Sequence, residues 1–566
     1  MAGTRVTIAA RSLLPPFPPT LPGVLARAVA RDPDRDFLVC GPERLTYHDA
    51  DEASARLARG LLALGVGKGT RVGLIMPNSP DWVVCFLAAA RIGALTVPIS
   101  TFYQGPELRW VLEHSDVHTL LTVDRFLNHD YVERLRGVLA VTPEPDHALF
   151  VDAIPHLRHI VTWGETTLPG AKRGPDDLFR LADANPRLDR AFLAAVEATV
   201  APADDLMVVY TSGSTLEPKA VVHTHSSAIS LSYALQNSGW SDIRAGDRVY
   251  STAPFFWIGG HSSYLMPCMF TNACVVMAPS PDVDDVIDTL CREQVTTVLA
   301  TTAVLADVED RAARRGITLP ALRLRTHQHD DAGEPIPPDL VPNTIGMTET
   351  FGPHGVEPLG TRLPRDKAGA FARSIPGVER KIVDPVTGQE CAPGEPGELY
   401  VRGFSLMRGF YKRLREETFD ADGFYPTGDR CRIDADGYLY FEGRYGDMIK
   451  TSGANVSCRE VEAVLERCAE VREAAVFGVP DPVRGEAVVA VVVPTTGTDI
   501  DENELLPQLR KQLSHFKVPH HVFAIEFHEI PRTHTGKISK RELRSLVLDR
   551  WDHLSVGGVR DSQPSR

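Results

Sequence analysis

Short apolar runs alternate with segments of helical periodicity along the sequence, and this alternation constrains the fold more than any other feature. Apolar runs occupy residues 37–40, 71–77 and 94–100, with helical spacing between them, and the pattern returns at residues 248–254 and 273–279. A buried strand, a crossover helix and another buried strand are typical of a parallel sheet covered by helices. The alternation therefore predicts an α/β fold.

A second pattern begins at about residue 378, where short strand-like stretches are separated by Asp-Pro, Gly and Asp-Gly and predict hairpins. We predict a large amino-terminal domain, residues 1–445, of stacked α/β sheets plus a small β-barrel-like subdomain. Residues 446–566 follow as a small α+β domain, with a disordered tail from about residue 554.

Charge and composition exclude several classes of protein. The chain of 566 residues has a formal net charge of −14, whereas a general nucleic-acid binder usually has a basic excess. No apolar run reaches the roughly 18 residues of a membrane-spanning helix. The nine cysteines are scattered without a Cys-x-x-Cys pair, which indicates reduced thiols and no cysteine zinc site. We predict a cytoplasmic protein and make no prediction of its oligomeric state.

The stretch YTSGSTLEPKAVVHTH, residues 210–225, concentrates hydroxyl groups around one glycine directly after an apolar strand pattern. Backbone N–H groups turned inward in such a loop bind anions, and Ser and Thr hydroxyls add donors. Lys219 adds a positive charge, and Pro218 excludes a Walker A loop. On these residues alone a polyphosphate cradle and a Ser-rich surface turn are equally good interpretations.

Six further motifs resolve this ambiguity. The pattern YTSGST-x-x-PK resembles the signature loop of the adenylate-forming superfamily, which includes acyl-CoA synthetases, luciferases and nonribosomal adenylation domains. The others follow in the family's order: APFFWIGG (253–260), GEPIP (333–337), GMTE (346–349), YPTGD (425–429), GRYGDMIKTSGANVS (443–457) and PRTHTGK (531–537). The overall pattern is most similar to acyl-CoA synthetases. The resemblance implies that a carboxylic acid and ATP give an acyl-adenylate and pyrophosphate, after which CoA accepts the acyl group.

The resemblance also implies roles for individual residues. The predicted catalytic residues are Lys537, which would bridge the acid and the α-phosphate, Thr348 at the α-phosphate, and Glu349 as a Mg²⁺ ligand. The predicted ATP-binding residues are Thr211, Ser212, Gly213, Ser214, Thr215 and Lys219 at the departing phosphates, Glu334, Pro335, Ile345 and Gly346 at adenine, Thr348, and Asp429 and Arg444 at ribose.

The second half-reaction and the acid site have their own predicted residues. Rotation of a mobile carboxy-terminal domain would pivot at Gly446, and Gly453 would line the tunnel for the pantetheine of CoA. The predicted acid pocket consists of His225, Trp257, Ile258 and Gly259. The predicted cofactors and partners are ATP, Mg²⁺, CoA or a carrier protein, and a small carboxylic acid. HQHDD, residues 327–331, has the spacing of a metal site, but we favour a structural or pocket-lining role.

Several positions depart from the family pattern. Leu216 and Ala332 stand where glycine is usual, Ile345 replaces an adenine-stacking tyrosine, and the segment between residues 337 and 346 is short. Two alternatives follow: an adenylating enzyme with another acceptor, such as a carrier-protein thiol or an amine, and a nucleotide-binding protein without catalysis. Retention of Lys537, Asp429 and Glu349 argues against the loss of catalysis.

Overall fold

The computed structural model describes residues 13–139, 149–211, 218–300, 302–320, 322–324, 334–444, 448–495, 498–527, 529–531, 538 and 540–555. The chain separates into two compact units. The larger unit comprises Met1–Thr101, Leu108–Tyr210 and Ala220–Tyr445, and the smaller comprises Phe102–Glu107, Thr211–Lys219 and Gly446–Arg566.

The strands before residue 445 are β1 (Asp36–Cys40), β2 (Glu43–Thr46), β3 (Arg71–Ile75), β4 (Leu95–Pro98), β5 (Thr119–Val123), β6 (Arg125–Phe126), β7 (His129–Asp130), β8 (His159–Trp163), β9 (Lys172–Arg173), β10 (Asp205–Thr211), β11 (Lys219–Thr224), β12 (Arg248–Ser251), β13 (Cys274–Met277), β14 (Thr297–Leu299), β15 (Arg323–Leu324), β16 (Ile345–Met347), β17 (Gly352–Gly355), β18 (Val378–Val383), β19 (Gly397–Gly403), β20 (Gly409–Phe410), β21 (Tyr425–Ile433) and β22 (Leu439–Arg444).

The helices before residue 445 are α1 (Leu21–Arg31), α2 (Tyr47–Ala63), α3 (Pro80–Arg91), α4 (Gly105–His114), α5 (Tyr131–Leu139), α6 (Asp176–Ala184), α7 (Arg190–Glu197), α8 (His225–Asn237), α9 (Ile258–Gly260), α10 (Met266–Thr271), α11 (Val283–Arg292) and α12 (Thr302–Arg314). A π-helical turn, His261–Leu265, joins α9 to α10, and short 3₁₀ turns occupy Pro338–Leu340, Thr348–Thr350, Arg365–Lys367 and Arg415–Glu417.

Two large sheets form the framework of the larger unit. One has the strand order β15-β14-β12-β13-β1-β2, and the other has the order β20-β11-β10-β4-β3-β5-β8-β9. The neighbours β4, β3, β5 and β8 run parallel, as do β14, β12, β13 and β1. Residues 82–90 of helix α3 are buried, and their side chains belong to the main apolar core. The predicted α/β class is confirmed.

Local sequence signals explain where the helices begin. The Thr20 side chain accepts a hydrogen bond from Gly23 N and caps α1, and the Ser79 side chain caps α3 by accepting from Trp82 N. Thr46 and Asp49 form a reciprocal capping box at the start of α2. Such caps satisfy backbone N–H groups that have no partner in the first helical turn.

A four-stranded antiparallel sheet, β18-β19-β21-β22, forms the β-rich part expected after residue 378. Phe371 forms a bridge to Leu439 on the outer strand β22. The arrangement places the turn that contains Gly428 and the carboxylate of Asp429 within β21, the strand between β19 and β22.

The smaller unit contains β23 (Met448–Thr451), β24 (Ala454–Ser457), α13 (Cys458–Leu465), β25 (Val471–Asp481), β26 (Gly485–Pro494), α14 (Glu502–Arg510), β27 (His521–Ala524) and α15 (Lys540–Ser555). Its sheet has the order β24-β23-β26-β25, and β27 pairs with β26. Alternate residues of β25 and β26 enter two apolar clusters, one containing Val476 and Val488 and the other containing Phe477 and Val489. Both faces of this sheet are therefore covered. Helix α15 continues through Ser555, and the predicted tail beyond it lies outside the described residues.

Among the described helices, none combines the length and the apolar character that crossing a bilayer requires.

Candidate active site

The Thr348–Thr350 turn carries two of the predicted catalytic side chains, Thr348 and Glu349. It follows β16 and ends at Phe351, a buried residue with φ of 59° in the left-handed region. The backbone carbonyl of Glu349 accepts a hydrogen bond from Met407 N at 2.8 Å. The turn is thus held by its own backbone and by a segment far along the chain.

His223 fixes the same turn from the exit of the signature segment. Its Nε2 lies 2.7 Å from the Thr348 carbonyl oxygen, and its Nδ1 lies 3.3 Å from Ser227 Oγ. Because a carbonyl only accepts, Nε2 carries the proton in this contact. Burial lowers the pKa of His223 to about 4, so the ring is neutral near pH 7. No pattern in the sequence predicted this role of His223.

Tyr425 connects the YPTGD motif to the same turn. Its hydroxyl donates a hydrogen bond to Glu349 Oε1 at 3.1 Å. The structure thus brings together the signature exit, GMTE and YPTGD, three motifs that are far apart in sequence. Tyr425 is the first residue of the YPTGD motif, so the motif drew attention to its position. No property of the sequence identified Glu349 as its partner.

Asp429 lies in a polar and largely buried environment. It is 4% exposed, and its backbone N–H donates to Thr427 Oγ1 at 3.1 Å. Gly428, with φ of 75°, donates its N–H to Glu398 Oε1 at 3.0 Å. Burial raises the pKa of Glu398, the negative charge of Asp429 raises it further, and the Gly428 bond lowers it. Asp429 also pairs in register with Arg444, whose side chain lies outside the described part of the structure.

Asn78 fastens the predicted acid-pocket segment. Its Nδ2 donates to the Ala253 carbonyl at 2.9 Å, and its Oδ1 accepts from Phe255 N at 2.8 Å. This two-sided amide contact fixes the backbone just before Trp257. Asn78 follows β3 in the stretch MPNSP, and nothing in that stretch predicted the contact.

Trp257, Ile258 and Gly259 occupy the start of the short helix α9. Trp257 is partly exposed and packs edge-to-face against Phe256, with ring centroids 5.6 Å apart. A side chain built on Gly259 would meet no atom within 4 Å, whereas one on Gly260 would lie 2.4 Å from the Pro254 carbonyl oxygen. Open space therefore adjoins Gly259. The assignment of Trp257, Ile258 and Gly259 to an acid pocket remains a prediction.

His225 is fully buried, and its Nδ1 accepts a hydrogen bond from Leu21 N at 3.1 Å. This contact joins the first turn of α1 to the first turn of α8. Burial lowers the pKa of His225 to about 4. The contact gives His225 a structural task, and its predicted place in the acid pocket is untested.

The predicted adenine-side residues lie on both sides of a short turn segment. Glu334 and Pro335 are exposed, whereas Ile345 is 7% exposed and belongs to the main apolar core. Gly346 packs so closely against β17 that a Cβ would lie 2.5 Å from the Gly352 carbonyl oxygen. Glycine is therefore required at this position for packing, in addition to any role at the nucleotide.

The predicted roles of Thr211, Lys219 and Gly453 in binding ATP and CoA remain predictions. Thr211 ends β10 and Lys219 begins β11. Gly453, with φ of 80°, follows Ser452 in the two-residue turn between β23 and β24, where space is open on its Cβ side. Several predicted positions lie outside the described residues: Ser212, Gly213, Ser214, Thr215, Leu216, Ala332, Gly446, Lys537 and residues 327–331.

The fold and the assembled motifs define an adenylate-forming enzyme, and comparison with known proteins gives the family. Residues 25–411 match the model of the AMP-binding enzyme family, and residues 460–537 match that of the AMP-binding enzyme C-terminal domain. The chain belongs to this family, and it is an ATP-dependent, acid-activating ligase.

Relatives and solved structures agree with this assignment. The chain is 30% identical to indoleacetate–CoA ligase of Aromatoleum aromaticum, over 89% of this chain and 94% of that protein. It is 29% identical to 3-hydroxybenzoate–CoA/4-hydroxybenzoate–CoA ligase of Thauera aromatica, over 91% and 94%. The structure of amide bond synthetase McbA from Marinactinospora thermotolerans matches with a TM-score of 0.72 and 25% identity, over 92% of this chain and 99% of that one.

Proposed function

We propose that this enzyme activates an apolar, ring-containing carboxylic acid with ATP and transfers the acyl group to the thiol of CoA. The observation that carries the proposal is the double anchoring of the Thr348–Glu349 turn, by His223 at 2.7 Å and by Tyr425 at 3.1 Å. Preorganised polar groups stabilise charge that develops in a transition state, and this turn is preorganised from two sides.

Both steps conserve atoms and electrons. A carboxylate oxygen of the acid attacks the α-phosphorus of ATP, and the bond from that phosphorus to the bridging oxygen of pyrophosphate breaks. The CoA sulfur, having lost its proton, then attacks the acyl carbonyl carbon, and AMP leaves. Lys537 would neutralise the two anions that meet in the first step. Gly446 and Gly453 would serve the second step as the pivot and the tunnel lining.

ATP fits several polar groups that the motifs supply. The buried carboxylate of Asp429 suits two ribose hydroxyls, because an ionised acceptor forms stronger hydrogen bonds than a neutral one. Thr348 lies on a turn whose backbone His223 holds, and its hydroxyl would contact the α-phosphate. Lys219 begins β11, directly after the hydroxyl-rich loop, and would pair with the departing phosphates.

Glu349 fits a magnesium ion held mainly by its substrate. No group of three or more potential metal ligands occurs among the described residues, and Mg²⁺ bound to nucleotides commonly takes one or two carboxylates plus phosphate oxygens and water. One oxygen of Glu349 is oriented by Tyr425. When bound, the ion would offset negative charge on the phosphates.

The preference for a ring-containing acid rests on the acid-pocket segment. Trp257 presents a partly exposed indole beside the buried Phe256, and Gly259 leaves adjoining space open. Aromatic rings pack favourably on one another in offset or edge-to-face arrangements. The relatives named above as indoleacetate and hydroxybenzoate ligases support this class of substrate.

The test is a panel of acids assayed by mass spectrometry for acyl-adenylate and acyl-CoA, with CoA present or absent. We expect phenylacetate-like and benzoate-like acids to exceed octanoate, and all three to exceed malonate. Trp257→Ala should shift the preference toward larger acids and leave the KM for ATP unchanged. Adenylate that accumulates with CoA but is consumed when an amine is added would support an amide-forming enzyme instead.

A further inference from the structure

A basic depression lies at the amino-terminal edge of the eight-stranded sheet. It has a volume of about 270 Å³ and is lined by Lys68, Gly69, Thr70, Arg71, His118 and His156. These residues precede or begin the adjacent parallel strands β3, β5 and β8. The depression is therefore built from three strand starts that are fixed by the sheet.

The strand register places basic side chains next to one another. His118 N donates to the Arg71 carbonyl at 2.9 Å, and Arg158 N donates to the His118 carbonyl at 2.8 Å. Arg71, His118 and Arg158 thus occupy neighbouring positions on three strands. Side chains at such positions are held close together by the backbone hydrogen bonds of the sheet.

The arginines in this cluster use backbone carbonyls as their hydrogen-bond acceptors. Arg71 Nε donates to the Asp116 carbonyl at 3.1 Å, and Arg158 Nη1 donates to the Pro155 carbonyl at 2.7 Å. Neither contact neutralises the charge of its guanidinium group. Within the described part of the chain, neither guanidinium group forms an ion pair with a carboxylate, although the formal net charge of the protein is −14.

Two carboxylates near the depression, Asp116 and Asp204, already form hydrogen bonds or ion pairs with other side chains. Asp116 accepts hydrogen bonds from the Tyr411 hydroxyl and from Lys412 Nζ, both at 2.9 Å. His156 Nε2 lies 3.7 Å from Asp116 Oδ1. Asp204 pairs with Lys68 at 2.7 Å. The pKa of His118 is lowered by burial and further by the charges of Arg158, Arg71 and His156. The local potential is thus positive, and an anion would relieve the repulsion.

We propose that this depression is a binding site for a phosphate-type oxyanion, distinct from the catalytic nucleotide site. The guanidinium group of Arg71 provides a planar fork of donors, and the His118 imidazole adds another donor. A phosphate or pyrophosphate matches this set in charge and size. Strand β3 begins at Arg71, and Asn78, which holds the backbone of the predicted acid-pocket segment, follows its other end. The proposed oxyanion site and Asn78 therefore lie at opposite ends of a strand roughly 13 Å long.

Calorimetric titration of the full-length enzyme with pyrophosphate tests the proposal. We expect two binding events in the wild type, one at the catalytic loop and one at the amino-terminal edge. Arg71→Gln combined with His118→Gln should weaken one event at least tenfold, whereas Lys219→Ala should weaken the other. Arg314→Gln, which removes the same charge from an exposed site on α12, should keep both events.

Titration with inorganic phosphate and with AMP distinguishes a free inorganic anion from a nucleotide phosphate as the ligand of this site. Binding of free phosphate to the Lys219→Ala protein identifies an inorganic anion, and binding of AMP alone identifies a nucleotide phosphate. Circular dichroism melting checks that each variant folds, and His156→Gln, at a side chain that is 54% exposed, provides a milder second variant. A single pyrophosphate event in the wild type, or two unchanged events in folded Arg71→Gln/His118→Gln protein, would overturn the proposal.

Discussion

The Tyr425 hydroxyl lies 3.1 Å from Glu349 Oε1 and donates a hydrogen bond to it. The two residues come from different motifs and are 76 positions apart in the chain. One oxygen of the carboxylate expected to hold Mg²⁺ is thereby oriented before any ligand binds. This orientation gives Tyr425 a positioning role that a surface tyrosine would not have.

Replacing Tyr425 by phenylalanine should reduce adenylation and raise the Mg²⁺ concentration that the enzyme needs. A hydrogen bond to a charged group contributes about 1.5–3 kcal/mol, which corresponds to a loss of roughly 10- to 100-fold. Pyrophosphate release across a Mg²⁺ titration measures both effects. Tyr440→Phe, on the neighbouring strand β22, is the matched control and should behave as wild type. Wild-type rates and an unchanged Mg²⁺ requirement in Tyr425→Phe would refute the role.

Substitutions of His223 should separate hydrogen bonding from packing. His223→Leu removes the side-chain donor to the Thr348 carbonyl, which keeps its backbone bond from Phe351 N at 3.0 Å. The loss of one such hydrogen bond costs about 0.5–1.5 kcal/mol. We expect kcat for adenylation to fall by up to about tenfold with a smaller change in the KM for ATP, because Thr348 is expected to act at the α-phosphate in the transition state. His223→Gln can still donate and should recover most of the rate. Equal damage in both folded variants would indicate that His223 acts through packing alone.

Local signals predicted the fold better than the site. The side chains of Thr20 and Ser79 cap helices by accepting hydrogen bonds from residues three positions later. The residues that determine where these helices begin are therefore close together in the sequence. The contacts of the site span much larger separations. His223 reaches Thr348 across 125 residues, and Asn78 reaches Phe255 across 177. Such pairings depend on how the sheets bring distant segments together, and no local pattern encodes them.

Motif recognition had a different limit. The motifs predicted roles for Glu349 and Asp429 by family position, but they contained no signal for Glu398, whose carboxylate accepts a hydrogen bond from Gly428 N beside Asp429. Ile345 was predicted at adenine from its position in the motif order. Its side chain belongs to the apolar core of the larger unit, and its contact with adenine stays a prediction.

Buried histidines should make the enzyme sensitive to acid. Burial lowers the pKa of His223, His225 and His261 to about 4. The ordinary histidine pKa is near 6.5, so between pH 6.5 and pH 4 the unfolded chain binds more protons than the folded one. Stability should therefore fall as the pH drops through this window.

Urea unfolding midpoints at pH 7.5, 6 and 5 measure this dependence. His223→Gln cannot titrate at that position and should show a shallower decline, whereas His48→Gln, at an exposed residue, should keep the wild-type slope. Equal midpoints at all three pH values would contradict the prediction.

Lys537→Ala should separate the two half-reactions. The ammonium group is expected to act only while the acid and ATP, both anions, are brought together. Adenylate formation should fall by orders of magnitude if Lys537 supplies several kcal/mol at the transition state. The same variant, supplied with synthetic acyl-adenylate and CoA, should form thioester near the wild-type rate. Equal loss of both reactions in a folded variant would show that Lys537 is not specific to the first step.

The most direct test of two-step acid activation is the exchange of labelled pyrophosphate into ATP by the wild-type enzyme in the absence of CoA. Reversible formation of a bound acyl-adenylate predicts exchange that requires both Mg²⁺ and a carboxylic acid from the preferred class. Addition of CoA should then convert the acid and ATP into equal amounts of acyl-CoA and AMP. Absence of acid-dependent exchange with every acid of the panel, or formation of ADP and phosphate in place of AMP and pyrophosphate, would contradict the account.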